Sequence, residues 1–100
     1  MMGIKNIKFK DFAIMQGEPV GKQAVLGFGE YELSIVSHPG SYGGKNGLYE
    51  IGVFKGKNMV EMPGITEPGD TVKGYLTESD VDVIIKKMTM ATGSDPVDIG

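Results

Sequence analysis

The apolar residues of this chain change period once. Up to about residue 76 they recur mainly at every second position, the spacing of half-buried strands. From Thr77 they recur at every third or fourth. Val81, Ile84, Ile85 and Met88 fall at i, i+3, i+4 and i+7, a single apolar helix stripe. Thr77 is placed as the N-cap, with Asp80 three residues on as an acidic version of the capping box, and Leu76 can staple onto Val81. Glu78, Asp80 and Asp82 crowd the positive end of the helix dipole. Lys86 and Lys87 sit towards the negative end, Asp82 and Lys86 are spaced as an i, i+4 pair, and Gly93 supplies the stop.

Upstream, the period-2 segments predict strands. Residues 4–15 read as a first strand whose apolar phase slips at Asp11, the mark of a bulge. Residues 16–22 read as a loop. From 23 to 38 two alternating runs meet at Gly29-Glu30. Either one strand kinks there or the pair makes a two-residue type II′ turn, and the short first run favours the kink. Tyr49, Ile51 and Val53 alternate as a half-buried strand. Lys55–Asn58 read as a hairpin turn returning through Met59–Met62, Glu67-Pro68-Gly69-Asp70 as a type II turn, and Thr71–Leu76 as a short strand feeding the helix. Strands first and helix last make an α+β domain over residues 1–93. Its expected architecture is an antiparallel sheet of four to five strands with the C-terminal helix on one face, followed by a frayed polar tail at 94–100.

Composition narrows the function classes. One hundred residues make one domain, and such a chain buries roughly 65% of its unfolded surface, enough for an ordinary core. There is no cysteine, so disulfides and thiolate metal or redox sites are excluded. No apolar run reaches membrane-span length and no secretory h-region is present, which predicts a cytoplasmic protein without membrane contact. The net charge is −3 and all ten cations are lysines. An acidic chain without arginine is poorly equipped for bidentate phosphate or base-edge contacts, so nucleic acid is not the expected partner. Lys5, Lys8 and Lys10 do interleave with Ile7, Phe9 and Phe12, but those apolar residues are better used in a core.

The candidate ligand- or partner-binding residues lie between the middle strands: His38, Ser41, Tyr42, Gly43, Gly44, Lys45 and Asn46. Successive glycine amides can cradle an anion, Lys45 can add charge and Tyr42 can stack. The plainer reading is a hairpin loop, since a phosphate loop opens a helix and here a strand follows. His38 is the only histidine and has no acid at a spacing that would orient it as a base. Glu30 and Glu32 read as one solvated sheet face, and Asp80 and Asp82 as helix-start charges, rather than as catalytic or metal-binding pairs. No catalytic residue, metal or cofactor is expected. Of the methionines, Met62 and Met88 read as core filler and Met59 and Met90 as exposed.

The stretches SIVSHPGSYGGKNGLYEIGVF and GITEPGDTVKGYLTESDVDVIIKKM resemble small uncharacterised proteins encoded by tailed bacteriophages, over about Tyr31 to Met88. The likeness lies in a compact, glycine-rich style and carries no activity and no functional residue. It implies an accessory protein working in the host cytoplasm by binding a host macromolecule. Together these features predict a non-enzymatic interaction module that binds a protein partner, or itself as a homo-oligomer, through a sheet edge or the 38–47 loop. The alternative is a small-ligand module that holds a nucleotide-like anion in loop 41–47.

Overall fold

The computed structural model describes residues 3–12, 21–37 and 47–100. The fold is α+β, an antiparallel sheet with one C-terminal helix on one face. The strands are β1 (Lys10–Phe12), β2 (Gly21–Phe28), β3 (Tyr31–Ser37), β4 (Tyr49–Lys55), β5 (Asn58–Met59), β6 (Val72–Leu76) and β7 (Val97–Asp98), and the helix is α1 (Glu78–Thr92). Among the described residues the seven strands occupy five rows. β1 and β7 both pair with β2 on one side of the sheet, and β5 and β6 both pair with β4 on the other.

Alternation sends one set of side chains inward. Ala24, Leu26 and Phe28 of β2, Leu33 and Ile35 of β3, and Ile51 and Val53 of β4 are fully buried. Against them α1 lays the expected stripe of Val81, Ile84, Ile85 and Met88, and Leu76 and Val81 are both buried as the staple requires. Each of these large side chains contributes roughly 1.5–3 kcal/mol by leaving water. Ile4, Ile7, Tyr49 and Ile65 complete the core. The helix is capped as read. The Asp80 N–H donates to Thr77 Oγ1 (3.2 Å), the Thr77 N–H donates to Asp80 Oδ2 (2.9 Å), and Gly93 ends the helix in the left-handed conformation.

Five expectations change. Gly29-Glu30 is a turn, not a kink. β2 starts at Gly21, so both arms are long enough to pair, and their register is unbroken from Lys22–Ser37 to Phe28–Tyr31. Gly29 takes a φ of +66°, which L side chains resist, and a Cβ there would come within 3.0 Å of Ser94 Oγ. Second, residues 4–6 form a 3-10 turn rather than the start of a strand, which buries Ile4 and Ile7 three positions apart. Third, Asp82 is a tertiary tie. Its Oδ1 accepts the Ile4 N–H at 2.6 Å and fastens the N-terminal turn to α1. Fourth, the segment read as a frayed tail carries β7. Val97 and Asp98 pair with Gly27 and Leu26, and the Ile99 N–H donates to the Val25 carbonyl at 3.0 Å. Fifth, the bulge read at Asp11 does not form: Lys10, Asp11 and Phe12 pair in continuous register with Gln23, Lys22 and Gly21.

The Asp82 tie gives a direct test. Asp82→Ala should lower the unfolding free energy by about 1–2 kcal/mol, because a hydrogen bond to a half-buried carboxylate is lost with its packing. Lys86→Ala, on the exposed helix face, should change it by less than about 0.5 kcal/mol. Urea titration of both variants measures the difference.

Candidate docking groove

The residues singled out in the 38–46 loop, His38, Ser41, Tyr42, Gly43, Gly44, Lys45 and Asn46, lie outside the described residues. Their flanks are fixed: Ser37 Oγ donates to the Leu48 carbonyl at 2.9 Å, closing the base between β3 and β4. That base is at the same end of the sheet as the start of α1, since Leu76 pairs with Tyr49, the first residue of β4. The acidic pairs are not brought together as sites. Glu30 belongs to the turn and Glu32 to β3, while Asp80 serves the helix cap and Asp82 the N-terminal turn. Among the described residues no three His, Cys, Asp or Glu side chains gather to hold a metal ion, and no helix is long and apolar enough to cross a membrane. Lys22 rests over two rings, 5.0 Å from Phe9 and 5.2 Å from Tyr49, and so helps to clip the N-terminal segment to the sheet.

The surface feature the sequence did not announce runs along α1. Val83, Lys87 and Met90 recur at i, i+4 and i+7, a stripe on the outward side of the helix, and all three are exposed. Facing them across two adjoining clefts are β6 and the connection before it. One cleft, about 330 Å³, is bordered by Lys73, Tyr75, Asp80, Val83, Ile84 and Lys87. The other, about 350 Å³, is bordered by Pro63, Gly64, Ile65, Lys87, Met90 and Ala91. Lys87 and Gly64 belong to both, and the Lys87 ammonium donates to the Gly64 carbonyl at 3.0 Å across their junction. α1 has no basic residue in its last turn, so Lys87 acts on this groove rather than on the helix end.

Both walls are held from within. Thr66 is buried. Its Oγ1 accepts the Met62 N–H (2.9 Å), and the N–H groups of Ile65 and Thr66 both donate to the Met62 carbonyl. The type II turn at Glu67–Asp70 forms as read and is tied back through the Gly69 N–H to Glu61 Oε2 at 2.6 Å. On β6 the register with β4 breaks between Tyr49 and Ile51, so that Gly74 and Tyr75 together oppose Glu50 in a bulge. Tyr75 takes a φ of +58°, the only non-glycine residue at positive φ among those described, and it is 64% exposed. A bulky residue in this region costs of order 1 kcal/mol or more and recurs where a surface has work to do. Met59 and Met90 are exposed and Met88 is buried, as the sequence reading expects, and Met62 packs at the margin of the core.

Asp80 lies at the groove's mouth with its acidity raised. The Thr77 backbone N–H bonded to its carboxylate is the main cause, the Thr77 side chain adds to it, and the charge of Lys73 assists, so the carboxyl titrates below its ordinary value of 3.8. A group depressed on folding stabilises the fold above its unfolded pKa and loses that contribution as pH falls through the folded value. The wild type should therefore shed part of its cap stability below pH 3.8. Asp80→Ala should be weaker at neutral pH and lose less on acidification. Urea midpoints followed across that range measure the difference, and parallel acid limbs would contradict the assignment.

No protein-family model matches the chain, and neither a curated protein nor a solved structure shows significant similarity to it.

Proposed function

We propose that the protein is a non-enzymatic interaction module that docks a protein partner along α1, in the groove faced by Tyr75. The observation that carries this reading is Tyr75 itself: a large aromatic side chain, 64% exposed, stands at a left-handed bulge and borders the same cleft as the exposed Val83. Aromatic and methionine side chains grouped on rigid elements are the usual anchors of protein interfaces. A partner met in the host cytoplasm would fit the phage-like style of the sequence. Self-association through a sheet edge has less support. Each edge is divided between two short strands, and β6 is further bent by its bulge, which are the devices that keep edges from pairing.

The test separates docking from folding. Asparagine tolerates positive φ better than tyrosine, so Tyr75→Asn should leave stability unchanged or raise it by up to about 1 kcal/mol. Affinity capture with the wild-type chain as bait should retain a partner that Tyr75→Asn releases, with both proteins equally folded by circular dichroism. A wild-type chain that retains nothing and stays monomeric in light scattering would contradict the reading. So would a variant that retains the same partner equally well.

A further inference from the structure

We infer that the groove's ligand is a short peptide segment carrying one carboxylate between apolar side chains, with Lys87 and Lys73 receiving the carboxylate. The inference rests on the docking reading above and adds the chemistry of the partner.

The exposed large apolar side chains sort onto two faces. Tyr75, Val83 and Met90 border the two clefts along α1, whereas Val97 and Ile99 lie beside Gly27 and Met59 beside Gly52, on the sheet face turned away from the helix. In the first group two lysines line the same cleft as the apolar residues. On a chain of net charge −3, the cleft under Tyr75 is lined by Lys73 and Lys87 against Asp80 alone, and the Asp80 carboxylate is already engaged by Thr77. Lys87 stands at the junction of the clefts, with one of its three N–H donors on the neutral Gly64 carbonyl. A ligand carboxylate would give it a charge-assisted partner in the same place, a bond about twice as strong as one between neutral groups.

Size and charge limit the ligand further. Val83 to Met90 spans about 10 Å of helix, the length of roughly three extended residues. Tyr75 and Val83 at one end and Met90 and Pro63 at the other offer apolar contacts on either side of Lys87. A nucleic-acid strand suits this surface poorly. Glu67 and Asp70 line the cleft on the far side of Tyr75, and Glu78 and Asp80 open the helix, so repeated phosphates would meet carboxylates on both flanks of two lysines. One carboxylate between apolar groups matches the pattern.

The experiment is selection of a displayed random peptide library on the full chain. The selected peptides are then synthesised and titrated into protein labelled at the valine, isoleucine and methionine methyls. The expected peptides carry Asp or Glu flanked by apolar residues, and they shift Val83, Ile84 and Met90. Their affinity falls about tenfold or more with Lys87→Glu or Lys87→Gln, weakens with salt, and is unchanged by Lys86→Glu. Selected peptides without carboxylates, or binding equally well to Lys87→Glu, overturn the acidic-peptide assignment while leaving a docking groove. Shifts confined to Met59, Val97 and Ile99 move the site to the other sheet face and overturn the groove. The same methyl shifts produced by single-stranded DNA, or by raising the protein concentration, replace the peptide by nucleic acid or by a second copy. If no peptide is selected and no partner is captured, the inference and the docking reading both fail.

Discussion

The burial of one helix stripe on one sheet face is the interaction on which the rest of this molecule depends. A sheet of five rows has no core until something covers a face, and α1 is the only helix among the described residues long enough to do so. Its position is fixed at several points. Thr77 and Asp80 close its start, Asp82 ties it to Ile4, and after Gly93 the chain passes Gly29 at the far end of the sheet. With Val81, Ile84, Ile85 and Met88 turned inward, helical geometry turns Val83, Lys87 and Met90 outward, where Val83 and Lys87 border the cleft against β6 and Lys87 and Met90 the cleft against Pro63–Ile65. The groove follows from the packing of the core.

The rest of the sheet is arranged to avoid unwanted contact. Among the described residues its edges are divided into short strands, and the face turned away from α1 is kept low at Gly27 and Gly52. A Cβ at Gly52 would come within 3.0 Å of Met59 Cε, so the glycine is what lets that methionine lie across the sheet. At the bulge, Tyr75 is 64% exposed at a backbone angle that disfavours it.

What the sequence revealed, and what it hid, follows the range of the interactions. The helix, its caps, its staple and its stop are set by neighbours within four residues, and all of them are legible in LTESDVDVIIKKM and Gly93. The type II turn at Pro68-Gly69 is legible for the same reason. Gly29-Glu30 was ambiguous because a kink and a hairpin produce the same slip of phase. Only the pairing of β2 with β3 decides between them. Ile4 and Ile7 carry no sign that they belong to a turn, since the Asp82 carboxylate that holds the turn is 78 positions away. β7 is a strand because β2 has an edge to offer beyond β1, not because VD has strand character. The left-handed Tyr75 was invisible, because the residue expected at such a bulge is glycine and here the glycine precedes it. The outer helix stripe could have been found: Val83 and Met90 are apolar residues left over once the core stripe is assigned.

The central claim is that α1 and the sheet form one cooperative unit, so that the groove exists before any ligand arrives. Native-state amide hydrogen exchange tests it most directly. The account predicts that Ile84, Ile85 and Met88 in the helix exchange only through the same global opening as Leu26, Leu33 and Ile51 in the sheet, with matching free energies and matching dependence on urea. Helix amides that exchange through a separate, lower-energy opening would show α1 detaching from an intact sheet, and would contradict a preformed groove.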